Sequence, residues 1–265
     1  MNFRLAATSL ACTTALTACG GLETTDIALD RLMYGNTTNF TVTGPNLDKG
    51  VVLVAPTCAG IAEVIASATP TQKVYACTPT VTGAMTVAVT GGGVVLRSIT
   101  VNIPVPQVTV KTSLGDMVME LDPGKAPVSA LNFMQYVNAS FYNNLIFHRV
   151  IPGFVIQGGG FDAALVPATA RAAIKLEIGN GLSNVRGAVA MARTSEAASA
   201  TSQFFINTVD NTSLDTLNGG YAVFGKVISG MTTVDAISAV PTSASNGMTD
   251  VPVTPVVINS VTQTQ

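Results

Sequence analysis

Histidine occurs once in the 265 residues, tryptophan not at all, and charged residues make up only 11% of the chain. The single imidazole, His148, excludes the site classes that need two or more: H-E-x-x-H zinc proteases, zinc fingers with paired cysteines and histidines, and three-histidine metal centres. Thirteen Lys and Arg against fifteen Asp and Glu leave a net charge of −2. No basic cluster stands out, so the electrostatic footprint of a nucleic-acid binder is missing. An average soluble domain carries about 25% charged residues. So little charge, with 48% hydrophobic residues and a mean hydropathy of +0.45, first suggests a membrane protein. Yet no uncharged apolar run reaches the ~20 residues of a spanning helix. Ala and Val are instead dispersed among Thr, Ser and Gly, as in β-rich sequences. The length suggests roughly two domains.

The N-terminus reads as an address. Met1 to Arg4 carries one positive charge, and Leu5 to Ala18 carries none. That run is too short to span and fits a signal peptide over residues 1–18. It ends in Leu16-Thr17-Ala18-Cys19-Gly20, which resembles the bacterial lipobox, with Cys19 as the first mature residue and site of diacylation. An ordinary cleaved signal is the second reading. Gly rather than Asp at position 20 implies, by resemblance to Gram-negative sorting, a periplasm-facing protein anchored to the outer membrane. Cys12 then leaves with the signal and Cys19 is acylated. Cys58 and Cys77 remain, and an even count in an oxidising compartment reads as one disulfide. Two buried free thiols are the alternative.

Asn102-Ile-Pro-Val-Pro106 favours extended polyproline geometry, so 102–106 is a linker candidate. It separates residues 19–101 from 107–265. The first segment alternates like strands at Phe40–Thr43, Val51–Val54, Lys73–Cys77, Met85–Val89 and Val94–Val101, with turn signals between them. This spacing predicts a small all-β, immunoglobulin-like sandwich. No catalytic constellation lies there; a spacer and a partner-binding module are both open readings.

The second segment is α+β. A hairpin around Leu114-Gly-Asp116 precedes a helix opened by Pro127, with an apolar stripe at Val128, Leu131, Met134 and Val137 (or Phe133). Strands are expected at 108–111, 117–121, 145–151, 155–157, 174–177, 188–192, 203–208, 222–227 and 256–261, with a second helix at Met231–Ser238. About eight strands and two helices fit a closed barrel with covered ends.

The densest block is Phe147-His-Arg-Val-Ile-Pro-Gly-Phe-Val-Ile-Gln-Gly-Gly-Gly160. Period-2 geometry turns Arg149 to the face of Phe147 and Ile151, away from His148, and puts Gln203 and Phe205 together. A cation among apolar side chains is costly unless paired, so Arg149 is either ion-paired in the core or kept for a ligand. The glycines after Gln157 lack the G-x-x-x-x-G-K-[ST] pattern of a phosphate loop. His148 has no G-x-S-x-G partner motif and reads as structural.

F-H-R-V-I-P-G-F-x-x-Q-G-G, M-A-R, S-Q-F-F-I-N and V-F-G-K-V, in this order, resemble a cyclophilin-type peptidyl-prolyl cis-trans isomerase of the bacterial kind. The resemblance covers nearly all of 107–265 and implies an eight-stranded barrel capped by two helices. It implies Arg149 as catalytic arginine and Phe154, Val155, Phe205 and Leu214 as the proline pocket. Gln157 and Gln203 would contact the substrate backbone, and Ala192 and Arg193 would form the strand along which the peptide lies. Tyr221 stands where many eukaryotic members have His, and Ser213 near their Trp. No cofactor or metal is implied. The substrates would be proline-containing exported polypeptides, and the alternative is a chaperone or scaffold with weak catalysis.

Overall fold

The computed structural model describes residues 21–265, so Cys12, Cys19 and the signal segment lie outside the described residues. The chain divides into two compact units between Pro104 and Val105.

The first unit is all β: β1 (Asp26–Leu29), β2 (Thr38–Thr43), β3 (Val51–Val54), β4 (Cys58–Glu63), β5 (Gln72–Pro79), β6 (Gly83–Gly91) and β7 (Val94–Ile103). They form two antiparallel sheets, ordered β1-β2-β5-β4 and β3-β6-β7. Alternate residues turn inward: Phe40 and Val42 from one sheet, Leu53, Met85, Val87 and Val89 from the other, all buried. The Tyr75 hydroxyl donates to the Val51 carbonyl at 2.7 Å, tying β5 to β3. Cys58 and Cys77 are disulfide-bonded with Cα atoms 5.6 Å apart, inside the first sheet.

Two strands go beyond the sequence reading. β1 is four residues long. β4 is an edge strand, almost wholly solvent-facing and interrupted by a bulge between Ala59 and Ala62, so it has no buried alternation to read. Asn102 and Ile103, expected in the linker, pair with Ala84 and Gly83 as the end of β7.

The second unit contains β8 (Gln107–Thr112), β9 (Gly115–Leu121), α1 (Pro127–Asn138), β10 (Leu145–Ile151), β11 (Val155–Asp162), β12 (Ala188–Met191), β13 (Phe204–Asn207) and β14 (Val223–Ser229). After these come α2 (Met231–Ser238), β15 (Thr242–Ser245), β16 (Met248–Pro252) and β17 (Val256–Gln263). Eight strands close a barrel in the order β10-β11-β13-β12-β14-β9-β8-β17, and β17 returns to β10 through Ile146 and Phe147.

α1 seats Phe133 in the barrel mouth, 5.1 Å from the Tyr142 ring, 5.4 Å from Phe204 and 5.3 Å from Phe224. The buried stripe of α1 is Ala130, Phe133, Met134 and Val137, the i, i+3, i+4, i+7 positions. Val128 and Leu131, expected in the stripe, are only half-buried, because this aromatic cluster rotates the helix toward Phe133.

Residues 174–177, expected as a strand, make a single bridge from Ile174 to Ala200. Glu177 has another task. Its carboxylate accepts from the Val128 and Ser129 amides at 3.0 and 2.7 Å and from the Ser129 hydroxyl at 2.8 Å. The residue preceding the helix, Ala126, has no capping side chain, so a remote carboxylate satisfies the orphan amides and complements the helix dipole. The β15–β16 hairpin turns at Asn246-Gly247, both at positive φ (48° and 76°). Asn-Gly is the strongest two-residue hairpin signal, and it marks an element absent from the sequence reading.

Candidate active site

Cross-strand register builds the site. Arg149 on β10 faces Gln157 on β11; Gln157 faces Phe205 on β13; Phe205 faces Ala190 on β12; Ala190 faces Val223 on β14. Directly opposed residues share a face, so a guanidinium, an amide and an aromatic ring lie in one transverse row. The neighbouring row, Val150, Ile156, Ile206 and Val189, is fully buried inside the barrel. Bulges flank Phe147 on β10 and re-aim the strand just before Arg149.

An apolar cluster continues the row. Val155, Ala192, Phe205 and Leu214 pack with Ala188, Ala190 and Val223, and Phe154, Leu182 and Tyr221 lean against them half-buried. The expected pocket residues are therefore gathered in one place. Leu214 reaches it from a single helical turn over 212–215, and the Tyr221 amide donates back to the Leu214 carbonyl at 3.0 Å. Tyr221 and Phe205 meet edge-to-face with centroids 5.7 Å apart. The Gln157 amide nitrogen donates to the Gln203 side-chain oxygen at 2.9 Å, so the two glutamines form one polar edge beside the cluster.

A buried polar net anchors the loops around this cluster. Asn211 donates to the Phe154 carbonyl at 2.8 Å and to Asn207 at 2.9 Å; Asn207 donates to Asn184 at 3.2 Å and to the Ala188 carbonyl at 3.1 Å. Asp215 accepts from the Asn184 amide and side chain, both at 2.8 Å, and from the Ser183 hydroxyl. Burial pushes the Asp215 carboxyl upward, but these three donors outweigh it and hold the group below its ordinary value. None of these polar residues stands out in the sequence; isolated Asn and Asp in a loop carry no periodicity.

Arg149 is partly exposed, and among the described residues its ion-pair partner is Asp250, 3.9 Å from Nε. Asp250 belongs to β16, has a φ of 60°, and its carboxylate accepts from the Thr249 hydroxyl at 2.9 Å. It is absent from the sequence reading because the β15–β16 hairpin is absent from it. Arg193 lies two residues past the end of β12, and its guanidinium is bonded to loop carbonyls. Ala192 precedes it, with its amide on the Gln203 carbonyl at 3.0 Å.

His148 is 3% exposed and packs on Phe161 with ring centroids 4.7 Å apart. Burial pulls its pKa down from 6.5 to about 4; hydrogen bonds with the Ile146 backbone and the Gln203 side chain oppose this, and the Arg149 charge adds to it. The fold thus holds His148 neutral. Its contribution to stability is complete above pH 6.5 and is lost as pH falls through about 4. That loss amounts to about 3 kcal/mol. Urea titrations from pH 7 to pH 4 are expected to show it, and a His148→Gln variant to flatten the decline.

Among the described residues no group of three or more His, Cys, Asp or Glu is arranged to hold a metal ion.

Comparison with known proteins gives the family of the second unit. The family of cyclophilin type peptidyl-prolyl cis-trans isomerases matches residues 107–263. A peptidyl-prolyl cis-trans isomerase of Acinetobacter baylyi is 55% identical over 156 residues, 58% of this chain and 83% of that one. Peptidyl-prolyl cis-trans isomerase B of Escherichia coli is 49% identical over 160 residues, 58% of this chain and 98% of that one. Among solved structures, a cyclophilin type isomerase of Cryptosporidium parvum superposes with a TM-score of 0.50 at 28% identity, covering 61% of this chain and 99% of that one. The chain belongs to the cyclophilin-type peptidyl-prolyl cis-trans isomerases, and it is an enzyme that isomerises peptide bonds preceding proline.

Proposed function

We propose that Arg149 is the catalytic residue of this isomerase, that the cluster around Phe205 seats the prolyl ring, and that the substrates are exported polypeptides. The observation that supports this most directly is the transverse row Arg149–Gln157–Phe205, which aligns a charged donor, a polar amide and an apolar seat on one barrel face.

The chemistry suits those groups. Amide resonance resists rotation with a barrier of ~18–20 kcal/mol. The two X-Pro isomers differ by only about 0.5–1 kcal/mol, so the enzyme has a barrier to lower and little equilibrium to shift. When the carbonyl stands perpendicular to the ring, the prolyl nitrogen becomes pyramidal and regains its lone pair. A guanidinium aimed there hydrogen-bonds the twisted state more strongly than the planar one, and that difference is the catalysis. Arg keeps its charge at every working pH and presents fixed donors, so the site need not reorganise during rotation. The apolar seat holds the ring while the preceding carbonyl turns. Gln157 and Gln203, already paired, offer amide groups to the peptide backbone. No bond is made or broken and no proton moves. A prolyl-isomerisation assay on a short X-Pro peptide, wild type against Arg149→Ala, tests the assignment.

The address motif supports a lipid anchor at Cys19 on the periplasmic side of an outer membrane. The full-length protein is expected in the membrane fraction and a Cys19→Ser variant in the soluble periplasmic fraction; a Cys19→Ser protein still membrane-bound would overturn the anchor. We also propose that the N-terminal unit is immunoglobulin-like. With strands lettered in chain order, β1-β2-β5-β4 and β3-β6-β7 correspond to the ABED and CFG sheets of that fold. Its disulfide departs from the usual intersheet bridge by staying within one sheet.

A further inference from the structure

We propose that Arg193 is a positioning residue, whose side chain clamps the loop that forms one wall of the pocket and does not itself contact the substrate. The inference rests on the reading of the Phe205 cluster as the prolyl seat.

The guanidinium is almost fully committed. Nε donates to the Gly220 carbonyl at 3.0 Å, Nη2 to the same carbonyl at 2.8 Å and to the Asn218 carbonyl at 2.5 Å. Nη1 donates to the Thr194 carbonyl at 2.9 Å and reaches the Ser195 carbonyl at 3.5 Å. An arginine has five N–H donors in a fixed fork, so little remains for a ligand. Its Cζ lies over the Tyr221 ring, 4.7 Å from the centroid, an approach that attracts a cation to an aromatic.

The loop is shaped to receive it. Asn218, Gly219 and Gly220 have φ values of 53°, 90° and 87°, three successive left-handed residues. Two of their carbonyls meet at one guanidinium. A Cβ on Gly220 would lie 2.5 Å from the Asp215 carbonyl oxygen, so position 220 admits only glycine. Two glycines lose much conformational freedom when the loop is held in one shape, and the bonds from Arg193 offset that loss. The contacts then run in series: Arg193 on Tyr221, Tyr221 edge-to-face with Phe205 at 5.7 Å, and the Tyr221 amide on the Leu214 carbonyl at 3.0 Å. Leu214 and Tyr221 are the pocket residues that flank this loop.

A wall that orders the seat acts on ground state and transition state alike, so loosening it raises KM and leaves kcat in place. For Arg193→Ala the expected result is a KM five- to tenfold higher with kcat within twofold of wild type, equally for peptides with Glu or Lys beside the X-Pro pair. Arg193→Lys, with the charge but not the fork, is expected to recover at most part of the loss. Amide exchange of residues 216–221 is expected to quicken at least tenfold in Arg193→Ala, with exchange in β10, β11 and β13 unchanged. An unchanged KM, or unchanged exchange in the loop, would overturn the clamp. A KM effect confined to the Glu peptide would instead make Arg193 a direct substrate contact and overturn it equally. The seat itself is tested separately by Phe205→Leu: were this variant to leave KM unaltered while loop exchange in Arg193→Ala still quickened, the pocket reading would fall and the loop clamp would stand.

Discussion

Arg149→Ala is expected to lower kcat for a short X-Pro peptide by about 100- to 1000-fold, the usual consequence of removing one preorganised donor from a transition state. The protein is expected to stay folded. The Arg149 side chain is 41% exposed and its ion pair with Asp250 spans 3.9 Å, and exposed pairs of this kind contribute about 0–1 kcal/mol. Thermal denaturation of the variant checks that point, and stopped-flow isomerisation checks the rate. Arg149→Lys is expected to fall between wild type and Arg149→Ala, because an ammonium keeps the charge but loses the planar fork. KM is expected to change less than kcat in both variants, since the ring seat is assembled by other side chains.

The second large effect is at Phe205. It is 4% exposed, lies between Gln157 and Ala190 in the row, and packs edge-to-face with the Tyr221 ring. Phe205→Ala removes a ring from a packed site, which typically costs about 3–5 kcal/mol. The expected result is a sharply lowered denaturation midpoint together with weak turnover. Those two losses are separated by Phe205→Leu, which keeps most of the volume and is expected to cost less than about 1.5 kcal/mol. Its KM is nevertheless expected to rise about tenfold, the equivalent of ~1.4 kcal/mol of lost ring contact. Equilibrium unfolding and steady-state kinetics on the two variants read both quantities. Phe205→Leu with a wild-type KM would mean that the prolyl ring sits elsewhere.

Part of the barrel is legible in the sequence because strands such as β8 and β9 alternate between buried and less buried residues. β10 runs from Leu145 to Ile151 and α2 over Met231–Ser238, the expected bounds. Period-2 geometry also puts Arg149 on the face of Phe147, and there it fails: a bulge between them pairs Phe147 with Gly158 and Arg149 with Gln157, so Phe147 is buried with His148 while Arg149 reaches solvent.

What is not readable is register. That Arg149 stands opposite Gln157, and Gln157 opposite Phe205, depends on bulges and on pairing between strands distant in the chain. The motifs name the residues; only the pairing makes them neighbours. Asp250 is out of reach for a related reason. Its hairpin is poor in large apolar residues, and its one local signal, Asn246-Gly247, is a turn with little alternation on either side. Glu177 shows the opposite failure. Ile174–Glu177 has the apolar-polar rhythm of a strand, but this carboxylate is drawn to the uncapped end of α1. The family resemblance puts Arg193 with its neighbour Ala192 on the peptide-binding strand, and no sequence pattern reveals that its donors are taken up by the carbonyls of Asn218 and Gly220.

The scarcity of charge also has a structural sense. With 11% charged residues, few carboxylates compete for Arg149, and the site relies on one cation beside apolar and amide groups. The lone histidine is buried and neutral, so a rotation that transfers no proton proceeds without it.

The central claim is that Arg149 acts on the twisted state rather than on binding. The most direct test is exchange NMR on an X-Pro peptide held by wild type and by Arg149→Ala, measuring dissociation constant and on-enzyme cis–trans interconversion in the same samples. The account predicts a dissociation constant within about threefold of wild type and interconversion slowed by about 100-fold or more. Interconversion at the wild-type rate, or binding lost in parallel with it, would contradict the account.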